Sequence, residues 1–264
     1  MYYLDFLGRV HEVLEPPTYL EIGVRHGDSL ALTRTVSVGI DPEFNLRVEL
    51  PDGVSLFEEP SDDYFARADP LAPFGGTPIG LSFIDGLHWS EFALRDFVNV
   101  EQHSRWTTAV VFDDIFPGDV RMAGRNRRTR KWTGDVFKIL GFLEKHRPDL
   151  VCLRIDTQPT GLLLVLGLDP HSDALNRHYD EMLGEALSED PQEVPPAVLE
   201  RREALDPETV LRGSFWKVLR DAREHDTPRA EGLPKLRAAL ERDGLVSAEP
   251  PPKRSWRERL PLPV

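Results

Sequence analysis

Four side chains that could carry out chemistry together lie directly after two apolar runs of the sequence. Asp85 and His88 come after the run "IGLSFI", and the adjacent acids Asp113 and Asp114 come after "TTAVVF". If the runs are neighbouring strands of a parallel sheet, their carboxyl ends open onto one crevice. Three carboxylates in that crevice repel one another, and burial would protonate them unless a cation or a basic side chain compensates. Oxygen ligands of this kind suit magnesium, manganese or calcium better than zinc, so the acids predict a divalent metal site.

The elements that must position these side chains are short apolar runs that alternate with helical patterns from about residue 18 to residue 170. Helical spacing of apolar residues predicts one helix over 89–104 and another over 134–146. Between the last two runs lies only the turn Gln-Pro-Thr-Gly, which is too short for a crossover and predicts an antiparallel hairpin. We therefore expect an α/β fold with a doubly wound, mostly parallel, seven-stranded Rossmann-like sheet that ends in this hairpin. The seven predicted strands are "TYLEIGV", "VSVGID", "GVSLFEE", "IGLSFIDG", "TTAVVFDDI", "DLVCLRID" and "GLLLVLGLD".

A glycine loop comes after the first predicted strand, in the segment "YLEIGVRHGDSL". Gly23 and Gly27 allow a tight turn and close approach of the backbone to a ligand, and a helix after the loop would point its N-terminus into the same crevice. Asp41 ends the second strand, where an acid can accept hydrogen bonds from ribose hydroxyls. The loop lacks the G-x-G-x-x-G spacing of a nicotinamide site and the Gly-Lys-Ser/Thr of a P-loop. A purely structural turn is the alternative.

The succession "LEIGVRHGDS", "GIDPEF", "EEPSDDYF", "FIDGLHWSE" and "VVFDDIFP" resembles the class I S-adenosylmethionine-dependent methyltransferases. Within that class it is similar to the metal-dependent sugar and small-molecule O-methyltransferases related to macrocin O-methyltransferase. The resemblance covers roughly residues 15–170. It implies S-adenosylmethionine as cofactor and a divalent cation at the acids named above, with Mg²⁺ favoured by their oxygen ligands.

The resemblance also implies roles for individual residues. Cofactor contacts are expected at Glu21, Gly23, Gly27, Ser29, Asp41, Ser61 and Asp85, with Asp41 at the ribose and Ser61 near the adenine. Metal ligands are expected at Asp85, Asp113 and Asp114. The cation would hold the acceptor hydroxyl and lower its pKa, and His88 would take the proton as general base.

The sequence departs from the family pattern at one position of this site. The family often has Asp-Gly-Asp-His, and Leu87 stands where the second acid would be. For His88 the alternative role is a helix cap or another structural contact. For the acids it is a set of turn and cap carboxylates, with Asp85 hydrogen-bonded only to the cofactor region.

A basic loop comes directly after the proposed metal ligands. It could be a lid whose guanidinium groups hold a phosphate or carboxylate of the acceptor. The alternative is a solvated loop, or one that pairs with an acidic surface of another subunit. Its cations are Arg121, Arg125, Arg127, Arg128, Arg130 and Lys131.

Composition limits the partners. A formal net charge of −13 over 264 residues argues against general binding to nucleic acid or to anionic membranes. No apolar run is long enough to span a bilayer and the N-terminus lacks signal-peptide features, so we expect a cytoplasmic protein that acts on a small molecule. The single cysteine, Cys152, excludes an intramolecular disulfide and a zinc–cysteine cluster.

We expect a methyltransferase domain over 1–170 and a helical, proline-rich extension over 171–264. The short helices of the extension could pack back on the sheet or form a homodimer surface, and the basic tail 250–264 could be a tether or an extended arm. The function predicted is metal-assisted O-methylation of a sugar or another small hydroxylated metabolite. The alternatives are a cofactor-binding scaffold or regulatory subunit without catalysis and, disfavoured by the glycine spacing, a nicotinamide-dependent oxidoreductase.

Overall fold

The computed structural model describes residues 1–247, and in that part seven strands form one sheet in the order β3-β2-β1-β4-β5-β7-β6. The neighbours from β3 to β5 are parallel, whereas β7 is antiparallel to both β5 and β6. The predicted mostly parallel sheet and its terminal hairpin are thus confirmed. The strands are β1 Thr18–Ile22, β2 Val36–Ile40, β3 Val54–Phe57, β4 Ile79–Ile84, β5 Ser104–Phe112, β6 Val151–Ile155 and β7 Leu162–Leu166.

Helices cover both faces of the sheet. The predicted helix over 89–104 is Ser90–Gln102, and the one over 134–146 begins later, at Lys138. The helices are α1 Tyr3–Leu14, α2 Ser61–Phe65, α3 Ser90–Gln102, α4 Lys138–His146, α5 Ala174–Arg177, α6 Tyr179–Ala186, α7 Pro196–Leu199, α8 Pro207–Leu211, α9 Phe215–Glu224 and α10 Arg229–Arg242, with 3-10 turns at Leu30–Leu32 and Ala72–Phe74.

Two apolar cores lie on opposite sides of the sheet because successive side chains of a strand point to opposite faces. On one side, α3, α4 and α6 pack on residues such as Ile84 and Phe112. On the other side, α1 and the C-terminal helices α8 to α10 pack on residues such as Phe83 and Val111. Strand β4 is buried throughout, which explains why its sequence is nearly all apolar.

The helices after residue 170 pack back on the sheet, which is the first of the two arrangements expected for them. Trp216 and Leu219 of α9 and Leu236 and Leu240 of α10 belong to the same apolar core as strand residues such as Leu81. The domain boundary at residue 170 and a homo-oligomer remain predictions. The tail 250–264 lies outside the described residues. No helix within residues 1–247 is both long and apolar enough to cross a membrane.

Candidate active site

His88, Asp85 and Asp114 meet at the carboxyl ends of β4 and β5, as the sequence predicts. The Nδ1 atom of His88 lies 2.5 Å from Oδ2 of Asp114, and its Nε2 atom lies 3.8 Å from Oδ1 of Asp85. Each of the three offers a possible ligand atom, and these atoms lie within 4.8 Å of one another. One imidazole and two carboxylates therefore face a common point.

Unusual backbone geometry creates this meeting. His88 has a φ of 60° and Asp114 a φ of 64°, in the left-handed region that L-residues rarely adopt. The backbone of Gly134 presses against the loop, since a Cβ there would lie 1.7 Å from the His88 carbonyl oxygen. Such conformations persist only where the surroundings hold them, and they cluster at functional sites.

Asp113 points into the same region but is not one of those three converging residues. Its Oδ1 atom accepts a hydrogen bond from the backbone N–H of Asp114 at 2.7 Å and lies 3.4 Å from the hydroxyl of Thr160. Asp113 nevertheless lines, with Asp85, His88 and Asp114, a cavity of about 10 Å³. That volume is about the space that one water molecule or ion occupies.

The charges at this point are mostly of one sign. Burial, followed by the nearby charges of Asp113 and Asp114, raises the pKa of Asp85 well above its usual value. Burial and the neighbouring Asp114 likewise raise the pKa of Asp113. Tyr3 belongs to the same environment, because burial and then Asp85 and Asp113 raise the pKa of its phenol. Sequence reasoning missed Tyr3, which reaches the site from the first residue of α1 and lies in no motif.

Glu21 is buried beneath the glycine loop. Its Oε1 atom accepts a hydrogen bond from the hydroxyl of Ser29 and its Oε2 atom accepts one from Tyr19, both at 2.6 Å. Burial raises the pKa of Glu21 to about 7, although the two hydroxyls oppose that rise. Ser29 and Glu21 are thus brought together as a hydrogen-bonded pair, and their contact with a cofactor stays a prediction.

The chain after the glycine loop departs from the prediction. No long helix begins after Gly27; only the 3-10 turn Leu30–Leu32 does, so the expectation of a helix N-terminus aimed into the crevice is wrong. The segment 44–50 lies across the loop instead. Its Asn45 donates a backbone hydrogen bond to the Arg25 carbonyl, and Leu46 approaches the site of a Cβ on Gly27 at 3.1 Å.

The two loop glycines are required by close packing. Gly23 has a φ of 91°, and a Cβ there would lie 2.1 Å from the Asp85 carbonyl oxygen. Gly27 has a φ of 85°. Gly23 thus lets β1 and β4 approach closely at their carboxyl ends, which is where the resemblance places the cofactor.

Asp41 ties the end of β2 to the glycine loop. Its Oδ2 atom accepts the N–H of Arg25 and its Oδ1 atom accepts the N–H of Glu43, each at 2.8 Å. Each carboxylate oxygen has a second lone pair, so these bonds leave Asp41 able to accept from ribose hydroxyls. That role remains a prediction.

Ser61 begins α2 and donates its hydroxyl to Oδ1 of Asp96 at 2.6 Å. Asp96 lies on the buried face of α3, and its burial raises its pKa to about 7. Asp96 also lines the small cavity at Asp85, so Ser61 is linked to that cavity through one side chain. Its contact with the adenine stays a prediction. Sequence reasoning missed Asp96 because it occupies a helix position among ordinary polar residues.

The basic loop divides into an anchored part and an exposed part. Arg125 is folded inward, where its guanidinium bonds Glu91 at 2.5 and 2.9 Å and Asp135 at 2.8 Å. Lys138 also donates to Asp135, at 2.8 Å. The backbone N–H groups of Arg125 and Asn126 donate to Asp190, which comes from the C-terminal part of the chain. Arg125 is therefore a structural anchor and not a free ligand for substrate.

The exposed part contains Arg128, Arg130 and Lys131, and no side-chain partner for these three cations exists among residues 1–247. Arg121 pairs with Asp119, and the guanidinium of Arg127 lies 5.9 Å from the centre of the Trp132 ring. The Trp132 ring in turn lies against His88, with ring centres 5.0 Å apart. The loop thus connects these three cations to the imidazole of the site.

Comparison with known families gives a match in the first half of the chain. Residues 20–115 match the family model described as a methyltransferase domain. This match supports a class I S-adenosylmethionine-dependent methyltransferase domain over residues 20–115, in agreement with the resemblance of the motifs.

Solved structures with a similar fold include three proteins at low sequence identity. Cofactor-bound Rv0187 from MTB is 18% identical, with a TM-score of 0.49 over 62% of this chain and 79% of that chain. The O-methyltransferase TomG from Streptomyces achromogenes, solved with SAM, is 17% identical, with a TM-score of 0.47 over 63% and 80%. The Bacillus cereus O-methyltransferase, solved with SAH, is 16% identical, with a TM-score of 0.45 over 62% and 80%. No curated protein matches the sequence significantly.

Proposed function

We propose that this methyltransferase transfers its methyl group to a hydroxyl oxygen of a small metabolite, such as a sugar, and that a divalent cation assists. The observation that carries the proposal is the convergence of Asp85, Asp114 and His88 on one point. Two carboxylates supply the hard oxygen ligands that Mg²⁺ or Mn²⁺ prefers. Burial and the like charges around Asp85 raise its pKa, and a cation there would compensate those charges.

The residues fit a cation in a second respect. The cavity that Asp85, Asp113 and Asp114 line measures about 10 Å³, which is room for one water-sized body such as a cation. In our proposal Asp85 and Asp114 hold the cation and Asp113 adds negative charge beside it. When bound, the cation would lower the pKa of an acceptor hydroxyl.

His88 would remove the proton from that hydroxyl. In our proposal Nδ1 donates to Asp114, 2.5 Å away, so that the neutral ring carries its lone pair on Nε2, the nitrogen on the side of Asp85. Asp114 thereby fixes the ring's tautomer and stabilises the imidazolium that forms. Trp132, packed beside the ring, limits rotation of the imidazole. S-adenosylmethionine, when bound, supplies the methyl group that the deprotonated oxygen attacks.

We propose in addition that the acceptor carries an anionic group. The cations Arg128, Arg130 and Lys131 belong to the loop that places Trp132 on His88. Guanidinium groups bind phosphate and carboxylate with two parallel hydrogen bonds.

The test compares acceptors in pairs, each sugar with its phosphate ester, and the ester should be the better substrate. Loss of this preference in an Arg128→Ala/Arg130→Ala variant is the expected result; no preference in the parent protein would contradict the proposal.

Metal binding gives a test that needs no acceptor. Mn²⁺ should bind to the protein with S-adenosylhomocysteine present, and Asp114→Asn should abolish this binding, as followed by electron paramagnetic resonance. Asp52→Asn, a change at an exposed acid elsewhere, is the matched control and should bind Mn²⁺ normally. Equal Mn²⁺ binding in the Asp114 variant and the parent would refute the proposed metal site. Cofactor binding with no turnover on any acceptor would favour a non-catalytic scaffold.

A further inference from the structure

A second group of metal-ligand side chains lies away from the active site. His146, His178 and Glu181 each offer a ligand atom, and these atoms lie within 4.8 Å of one another. His146 is the last residue of α4, whereas His178 immediately precedes α6 and Glu181 lies in the first turn of that helix. The group therefore joins two parts of the chain that are distant in sequence.

One ring nitrogen of this group is left without a partner by the protein itself. Nε2 of His146 is buried and has no hydrogen-bond partner within residues 1–247. The rings of His146 and His178 lie with their centres 4.5 Å apart. Burial and the positive charge of Lys145 both lower the pKa of His146. A buried ring nitrogen without a partner is costly unless something binds it.

The carboxylate of the group is already oriented. Lys145 donates to Oε1 of Glu181 at 2.6 Å, and Oε2 of Glu181 lies 3.4 Å from Nδ1 of His178. Glu185 accepts a second bond from Lys145, at 3.2 Å, and so balances its charge. The Oε2 atom thus faces the histidines with a lone pair available.

We propose that His146, His178 and Glu181 form a binding site for Zn²⁺ or a similar borderline transition-metal ion. Two imidazoles and one carboxylate are typical ligands of zinc, and the exposure of His178 and Glu181 leaves a fourth position for water. The ligand set differs from the two carboxylates of the active site, so the two sites should select different ions. An ion here would tie α6 to the end of α4.

The expected consequence is stabilisation of the helix that anchors the basic loop. The carbonyl oxygen of Ala186, at the end of α6, accepts hydrogen bonds from both Arg125 and Lys138. An ion that binds only the folded protein raises the free energy of unfolding by mass action. Zn²⁺ should therefore raise the melting temperature in proportion to the logarithm of its concentration above the dissociation constant.

The experiment uses Co²⁺ as a spectroscopic probe and Zn²⁺ as competitor on the full chain after removal of any purification tag. An Asp114→Asn background removes the metal site proposed at the active centre, so that failure of that proposal does not affect the result. One equivalent of Co²⁺ should give the visible absorption of a four-coordinate ion, and Zn²⁺ should displace it. His178→Ala and Glu181→Gln, both at exposed positions that leave folding intact, should each weaken binding by at least about tenfold.

The matched control is His225→Ala. His225 is an exposed histidine directly after the last residue of α9, and its Nδ1 atom already bonds the Asp221 carbonyl oxygen. This variant should bind Co²⁺ as the parent does. Unchanged Co²⁺ absorption in the His178 and Glu181 variants, or no Co²⁺ binding in the Asp114→Asn background, would overturn the site.

Discussion

The imidazole of His88 and the carboxylate of Asp114 lie 2.5 Å apart, and both residues have left-handed backbone conformations. Neither conformation is favourable on its own, so the packing around the two residues must hold them. Gly134 and Trp132 contact His88 from two sides. The pair is therefore preorganised before any ligand binds.

Replacing His88 with Ala should reduce turnover by roughly 10²–10⁴-fold, because the acceptor hydroxyl then loses its general base. Part of the loss should be recovered at high pH, where the hydroxyl ionises without help. The pH profile of kcat measures this, and Mn²⁺ titration of the same variant is the control. Intact Mn²⁺ binding identifies His88 as a base, whereas lost Mn²⁺ binding would make it a metal ligand and contradict the assignment.

The adjacent acids should respond differently to the same substitution. Asp114→Asn removes a proposed ligand together with the partner of His88, and turnover should fall by orders of magnitude while affinity for S-adenosylhomocysteine stays nearly unchanged. In Asp113→Asn the side-chain oxygen still accepts the N–H of residue 114, so the turn is kept and only charge is lost. We expect a smaller loss, measured as Mn²⁺ affinity and kcat. Equal losses in both variants would show that Asp113 is a full ligand.

The buried Glu21 makes stability depend on pH. Its pKa is about 7 in the folded protein against an ordinary value of 4.5, because burial disfavours the charged form. Glu21 therefore binds its proton more tightly in the folded state than in the unfolded state. The stability that this protonation contributes is present at low pH and is lost as pH rises to about 7. Glu21→Gln should remove this decline.

The measurement is the melting temperature of the parent and of Glu21→Gln from about pH 5 to about pH 8. The melting temperature of Glu21→Gln should rise relative to that of the parent as pH increases. The pKa of Asp96 is also raised to about 7, so Asp96 too makes stability fall as pH rises. Both proteins contain Asp96, so its effect cancels in the comparison. A constant gap across this range would mean that Glu21 does not titrate there.

The strands could be predicted because their evidence is local. Strand β4 is buried along its whole length and β7 likewise, so their sequences are almost continuously apolar. The turn Gln-Pro-Thr-Gly also determined the antiparallel hairpin. Since strand ends carry the acids, the meeting of Asp85 with Asp114 could be predicted from the topology alone.

The features that sequence did not predict depend on tertiary contacts. The absence of a long helix after Gly27 goes with the segment 44–50, which lies across the glycine loop. Arg125 looks like its neighbours in the basic loop, and only the folded chain shows that it binds Glu91 and Asp135. Tyr3 reaches the acids from α1, for which no sequence motif exists.

Arg125 should stabilise the fold as the anchor of the basic loop. Arg125→Ala leaves the carboxylate of Glu91 without its cation, whereas Asp135 keeps Lys138. Removal of one member of a buried ion pair costs about 3–5 kcal/mol. The matched control is Arg121→Ala, because Arg121 is an exposed arginine of the same loop. The melting temperature of this variant should equal that of the parent. Arg125→Lys should recover part of the stability. If Arg125→Ala were as stable as the control, the assignment of Arg125 as an anchor would be wrong.

Gly134 provides the sharpest test that the loop holds His88 in place. An alanine there would carry its Cβ 1.7 Å from the His88 carbonyl oxygen at a φ of 56°, so either the loop or His88 must move. Overpacking of this kind costs about 1–3 kcal/mol, and the displaced imidazole should lower kcat more than affinity for S-adenosylhomocysteine.

Gly184→Ala is the matched control, because a Cβ at that position of α6 meets nothing within 4 Å. It should stabilise the protein by about 0.4–1 kcal/mol and leave kcat unchanged, as measured by chemical denaturation and steady-state kinetics. If Gly134→Ala kept the parent's kcat, the contact of Gly134 with His88 would have no part in positioning the base.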